Sequence, residues 1–223
     1  MKRIELKKKI NDIILPICKA EGFVQKNKSL MYYKTIDNVL NAILFDTRST
    51  GYECQIFVQP LYISNDSLVL GLGDSVWRID INHYKSYHLM LDMDESGITS
   101  NIESHAMFFQ KTAFDWFDNV GSPSGICKYI CSNHKESKIF YTPIIWKYEA
   151  KAYSELYLKN FSNAIKYYDL FVKELKEGNA RGWRDVKIEE IEEMIKGIQT
   201  SPEIIHGKLI QTAKETRARI GIN

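Results

Sequence analysis

The sequence predicts an α+β protein in which an N-terminal helix precedes an antiparallel meander sheet and a mainly helical C-terminal half. Between residues 29 and 61, three segments are rich in β-branched and aromatic residues, which is typical of strands, although the first of them is apolar on both sides. From about Asn101 onward, apolar residues recur at helical spacing instead. A run of strands followed by a run of helices indicates the α+β class.

The first predicted helix spans Arg3 to Ala20, because its apolar residues recur every three or four positions with lysines between them. Pro16 removes a backbone donor near the end of this helix, so the sequence predicts a kink or an early stop there. Gly22 suits the C-terminal cap.

Three strands are predicted from Ser29 to Ile36, from Val39 to Asp46 and from Tyr52 to Leu61. Asp37-Asn38 suits a tight hairpin turn because both residues tolerate positive φ. A fourth strand is predicted between Ser67 and Ile81. We expect a single core beneath the helices, to which the following residues contribute: Tyr33, Ile43, Ile56, Val58, Ile13 and Phe109.

The helical half begins near Asn101, and Ser122-Pro123 is typical of a cap followed by proline at the first helical position. Four further helices are predicted over residues 143–159, 162–177, 185–197 and 201–219. We expect an α+β domain over residues 1–135 and a helical extension over residues 136–223.

Composition excludes several classes of protein. The 223 residues carry a formal charge of +2, which is far from the basic balance of most nucleic-acid-binding proteins. No apolar run approaches the length of about 20 residues that spans a bilayer. The four cysteines are unevenly spaced and predict free thiols. We therefore predict a cytoplasmic protein without nucleic-acid or membrane contacts, and the sequence leaves its oligomeric state open.

One segment matches the formula of an EF-hand calcium loop. Asp92, Asp94, Ser96 and Glu103 stand at its ligand positions, and Gly97 stands at the sharp turn. The alternative is an acidic loop before a helix, with Ser100 as N-cap and Glu103 as its capping-box partner. We favour the second interpretation because the preceding residues lack a helical stripe. No cofactor is predicted, and these residues are retained only as an alternative metal site.

Tyrosine and histidine residues suggest a weak ligand site near a predicted strand end. His83, Tyr84 and His88 lie close in sequence to Asp92 and Asp94, and such clusters of titratable groups can mark a pocket. Core or interface packing explains these histidines equally well. No recognisable nucleophile motif accompanies them, so no catalytic residue is predicted.

A helical hairpin near the C-terminus resembles a single tetratricopeptide repeat. The resemblance rests on the large and small residues Tyr148, Ala152, Phe161, Ala164 and Tyr168. Lys151 and Phe171 depart from that pattern, and no second copy follows. A lone unit cannot build a concave solenoid surface, so a plain helical hairpin is favoured.

Several short sequence segments in the first 135 residues resemble those of an uncharacterised bacterial family that is known only as a domain of unknown function. They are Glu21-Gly22-Phe23, Met31-Tyr32-Tyr33, Phe57 to Tyr62, Gly71-Leu72-Gly73, Trp116 to Val120 and Ser122-Pro123. Some small bacterial α+β proteins of this kind are similar to immunity proteins of polymorphic toxins. The resemblance implies no catalytic residues.

Two hypotheses of function follow. The first is a non-enzymatic protein-binding module, because 13 tyrosines and four tryptophans accompany no catalytic set. The family resemblance implies an immunity-like role for it in a bacterial toxin system. The second is a small-ligand-binding protein or an enzyme with a pocket near His83, His88 and Asp92. The first predicts a protein partner and the second a bound small molecule.

Overall fold

The computed structural model describes residues 2–64, 74–75, 88–132, 144–177 and 182–222, and shows an N-terminal helix, an antiparallel sheet and a mainly helical C-terminal half. The predicted fold class is confirmed. The strands are β1 (Val24–Gln25), β2 (Met31–Ile36), β3 (Val39–Arg48), β4 (Gly51–Pro60), β5 (Asp74–Ser75) and β6 (His88–Met90). The helices are α1 (Arg3–Ala20), α2 (Glu95–Phe108), α3 (Phe114–Val120), α4 (Pro123–Ser132), α5 (Ile144–Tyr157), α6 (Phe161–Glu177), α7 (Trp183–Thr200) and α8 (Pro202–Ile220).

Helix α1 continues through Pro16 to Ala20, so the predicted early stop is wrong. The helix ends in a Schellman motif, in which Phe23 N donates to Cys18 O at 2.9 Å and Gly22 N donates to Lys19 O at 3.1 Å. Gly22 adopts a φ of +78°, a left-handed conformation that glycine adopts without steric cost. The cap turns the chain so that Phe23 enters the core.

The sheet is a meander in the order β1-β2-β3-β4-β5, with β6 also pairing with β4. Asp37 and Asn38, with φ values of +46° and +61°, form the predicted hairpin turn between β2 and β3. Of the predicted fourth strand, only residues 74–75 are described, and they pair with β4 opposite Ile56 and Gln55. The rest of that prediction lies outside the described residues.

The first face of the sheet packs against α1 and α2 and the segments that follow α2. Ile43, Ile56 and Val58 share this core with Phe109, as predicted, and Ile13 packs at its border, half-buried. The prediction for Tyr33 is wrong. Its neighbour Tyr32 lies opposite Ile43 on the first face, whereas Tyr33 lies opposite Ala42 and points to the other side of the sheet.

The second face of the sheet is covered by the end of α8. Ile220 and Ile222 join a separate cluster whose other buried members are Met31, Tyr33, Leu40, Ala42, Phe57 and Leu61. A second Schellman motif directs Ile222 to this face: Ile222 N donates to Arg217 O at 3.1 Å, and Gly221 has a φ of +63°. Both faces of β4 are buried, although its sequence alternates in polarity.

The β2–β3 turn ties the sheet to the helical half. The Asn38 side chain donates to Tyr157 Oη at 3.1 Å and accepts from an Arg217 guanidinium nitrogen at 3.2 Å. Tyr157 ends α5 and Arg217 lies in α8, so one turn residue joins three elements.

Helices α2 and α3 are joined by a π-helical segment at Phe109–Ala113. Ser122 precedes α4 as predicted, and its Oγ accepts from Gly125 N at 3.1 Å. The four later helices lie within a few residues of their predicted bounds. No helix within the described ranges is long and apolar enough to cross a membrane. The predicted domain boundary near residue 135 lies outside the described residues.

Candidate functional site

The structure brings together few of the residues that the sequence singled out as a ligand site. His83 and Tyr84 lie outside the described residues, and for His88 only its place in β6, opposite Glu53, is described. Asp92 and Asp94 are exposed in the turn between β6 and α2.

The segment from Asp92 to Glu103 is a strand-turn-helix and not a helix-loop-helix. Asp94 is the N-cap of α2: its Oδ1 accepts from Gly97 N at 2.6 Å and from Ser96 Oγ at 3.0 Å. The hydrogen bond from Gly97, followed by that from Ser96, lowers the pKa of the Asp94 carboxyl. The prediction of Ser100 as N-cap is wrong, because the helix begins five residues earlier.

Glu103 lies exposed within α2, two turns beyond the cap. The ligand positions from Ser96 to Glu103 are thus wound into a helix, whereas an EF-hand needs them in an open loop around the ion. Across the parts of the chain that the structure describes, no group of three or more His, Cys, Asp and Glu residues could hold a metal ion.

Helix α5 carries an unusual number of buried charged residues, namely Lys147, Glu149, Lys151 and Glu155. Glu149 pairs with Lys187 of α7 at 3.1 Å, and Glu155 accepts from Asn160 Nδ2 at 2.9 Å. Burial lowers the pKa of the Lys147 ammonium. A buried charge requires such partners, so these contacts fix α5 against its neighbours.

Lys151 explains one departure from the tetratricopeptide pattern. It is almost wholly buried, and its Nζ donates to Cys127 O at 2.8 Å while lying 4.2 Å from the centre of the Tyr167 ring. The ammonium joins α4, α5 and α6 where the repeat has an apolar residue. The second departure, Phe171, is fully buried in the core. The hairpin itself is present, and its kinship to that repeat stays a prediction.

A patch of exposed aromatic residues lies at the adjoining ends of α5 and α7. The rings of Trp146 and Trp183 stack with centroids 6.1 Å apart and planes 17° apart, yet the residues remain 42% and 51% exposed. Val186, one turn after Trp183, is 57% exposed. The Arg184 guanidinium lies 5.6 Å from the Trp183 ring. We call these four residues the tryptophan patch.

Sequence reasoning missed the tryptophan patch. The available signal was the position of Trp183 and Val186, which are three residues apart on α7 but outside its isoleucine stripe of Ile188, Ile191, Ile195 and Ile198. The stacking with Trp146 depends on how α5 meets α7, which no local pattern encodes. Exposed apolar surface of this kind is typical of an interaction site.

Comparison with family models, curated proteins and solved structures finds no match for this chain. The resemblance to a bacterial domain of unknown function therefore stays a prediction.

Proposed function

We propose that this protein is a non-enzymatic protein-binding module and that the tryptophan patch is its contact surface. The observation that supports the proposal is the stacked, half-exposed pair Trp146 and Trp183. Tryptophan and arginine are the residues most enriched among interface hot spots, and the patch contains both.

The energetics of the patch favour binding. An aromatic side chain buries about 150–250 Å² when it is fully covered, so two half-exposed tryptophans leave substantial apolar area to be removed from water. Because the rings already stack on each other, little side-chain entropy would be lost on binding.

The helices beneath the patch are held together by buried polar contacts. The ion pair of Glu149 with Lys187 joins α5 to α7, and both side chains are largely buried. Arg184 NH1 donates to Leu175 O at 3.3 Å and so joins α7 to α6. These contacts support a preorganised surface, which reduces the free-energy cost of association.

The expected partner presents apolar side chains to the two rings and a carboxylate to Arg184. Arg184 suits this chemistry because its guanidinium stays charged and, beside its bond to Leu175 O, can donate a charge-assisted hydrogen bond to a carboxylate. If the sequence resemblance to a bacterial family with immunity-like members holds, a protein toxin is the expected partner, bound without chemical change.

Site-specific photo-crosslinking in the host tests the proposal. We place a benzoylphenylalanine at position 186, beside the intact tryptophan pair, and in a control chain at position 107, because Met107 is similarly exposed on α2. We expect one discrete protein adduct at position 186 that is absent at position 107. Equal adducts at both positions, or none at position 186, would contradict the proposal.

The purified partner then gives the decisive measurement. We expect Trp183→Ala to raise the Kd by about 30-fold or more, which corresponds to a hot spot of roughly 2 kcal/mol. The control Met107→Ala should leave the Kd within about twofold. A partner that binds Trp183→Ala as tightly as the parent protein would exclude the patch as its contact surface.

A further inference from the structure

An open cleft lies between α7 and α8, and it involves none of the residues of the tryptophan patch. Its volume is about 350 Å³, at the lower end of the range of about 300–1,000 Å³ that is typical of small-ligand pockets. Tyr62, Tyr153 and Leu156 form the floor, and all three are buried. The cleft can therefore hold the apolar body of a small molecule.

The two walls carry opposite charges. On the α7 side, Glu190 and Glu193 lie three residues apart on one helix face and are exposed at the cleft. On the α8 side, Lys208 contributes an ammonium. No ion pair in the described part of the chain involves Glu193 or Lys208. Glu190 shares Lys187 with Glu149, and the Glu149 oxygen is the nearer, at 3.1 Å against 3.8 Å.

The negative charges of nearby carboxylates also act on Tyr153 in the floor of the cleft. The pKa of the Tyr153 hydroxyl is raised, first by burial and then by the negative charges of Glu149 and Glu190. A cleft with charged walls and an apolar floor concentrates such a field, because the floor has a low dielectric constant. An ammonium near α7 and a carboxylate near Lys208 would both be stabilised.

We propose that this cleft binds a small zwitterion with an apolar body, such as an amino acid or short peptide with an aromatic or aliphatic side chain. The ammonium of the ligand pairs with Glu190 and Glu193, its carboxylate pairs with Lys208, and its side chain packs on Tyr153 and Leu156. The inference is independent of the proposed protein partner, since it rests on a different surface.

Three probes with the same body test the assignment: L-phenylalanine, its amide, which is a cation, and N-acetyl-L-phenylalanine, which is an anion. Binding is measured by calorimetry and by the NMR shift of the Met194 methyl group, which lines the cleft. We expect L-phenylalanine to bind about tenfold more tightly than either singly charged probe, because it alone uses both walls.

Variants that remove charge distinguish the contributions of the two walls to binding. The double variant Glu190→Gln/Glu193→Gln should weaken L-phenylalanine and the amide but spare the N-acetyl compound. Lys208→Met should weaken L-phenylalanine and the N-acetyl compound but spare the amide. The matched control is Glu189→Gln/Glu192→Gln, which removes the same charge from exposed residues of α7 that do not line the cleft. All these side chains are exposed, so the variants should fold normally.

Several outcomes would overturn the proposal. They are equal binding of the three probes, an equal loss of affinity in the control variant, an amide that binds as tightly as L-phenylalanine, and no saturable shift of Met194 at millimolar concentrations of L-phenylalanine.

Discussion

The two faces of the sheet are built from different parts of the chain. The first face is buried beneath α1 and beneath the continuous helical run from α2 to α3, and its core extends into the C-terminal helices. The second face carries a small separate cluster that is closed by Ile220 and Ile222. Among the residues that the structure describes, the first face packs against many elements, whereas the second face packs against the end of one helix.

This difference predicts unequal responses to mutation. A cavity within a densely packed core cannot collapse freely, so its free-energy cost is high. The end of a helix can shift or fray, so a cavity there is partly relieved. Paired substitutions on the two faces measure how far this contrast holds.

The largest effect is expected for Ile56→Ala on the first face. Ile56 is fully buried, and its loss should lower the free energy of unfolding by about 2–5 kcal/mol. The control Ile4→Ala, in α1 at 84% exposure, should stay within about 0.5 kcal/mol of the parent protein. Urea unfolding measures both. A cost for Ile56→Ala no larger than that of the control would place β4 in a different register.

A smaller effect is expected for Ile222→Ala on the second face, at about 2 kcal/mol, the lower limit of the range for buried aliphatic residues. Ile222 is 3% exposed, and Ile204 of α8, at 62% exposure, provides the matched control. Urea unfolding of both variants gives the comparison. If Ile222→Ala cost as much as Ile56→Ala or more, the second face would be at least as well integrated as the first and the contrast would fail.

The hairpin turn tests the link between the sheet and the helical half. Asn38→Gly keeps the positive φ but removes the two side-chain hydrogen bonds to Tyr157 and Arg217, and should cost about 1–3 kcal/mol at roughly 0.5–1.5 kcal/mol per bond. Asp37→Gly is the control, since Asp37 has a similar φ and no described side-chain hydrogen bond. Equal thermal stability of the two variants would argue against a linking role for Asn38.

The smallest effect is expected at the cap of α2, which covers the first face. The folded-state pKa of Asp94 is lowered, so its ionised form stabilises the fold at pH values above the unfolded-state pKa of about 3.9. This contribution is lost as the pH falls through the folded-state pKa. Asn is an equally good N-cap, so Asp94→Asn should match the parent protein at pH 6 but lose less stability on acidification. Urea unfolding at pH 6 and pH 2.5 measures the difference, and parallel losses would contradict it.

The sequence predicted the order of the elements well, because each has a local signal. The hairpin at Asp37-Asn38 and the start of α4 at Ser122 both follow from the backbone preferences of single residues. Tyr33 was assigned to the wrong face because β2 is apolar on both sides, so a period of two cannot tell them apart. Ser100 was predicted as the N-cap because it is a good cap residue, but Asp94 is one too, and only the extent of α2 decides between them.

The candidate sites could not be predicted from the sequence as well as the order of the elements. The stacking of Trp146 on Trp183 and the cleft floor beneath Glu190 both arise from contacts between helices far apart in the chain. Periodicity predicts which face of a helix is apolar, but not which neighbour leaves part of that face uncovered. These sites therefore appear only when tertiary contacts are known.

The cover over the second face also has a consequence for protein synthesis. Ile220 follows Leu61 by about 160 residues, so at about 5–20 residues per second the ribosome needs roughly 8–30 seconds to add it after Leu61. During that interval, Tyr33, Leu40 and Phe57 lack Ile220 and Ile222, which later join their cluster. The nascent chain thus exposes apolar side chains on the second face of the sheet. We expect chaperones to bind this face during synthesis.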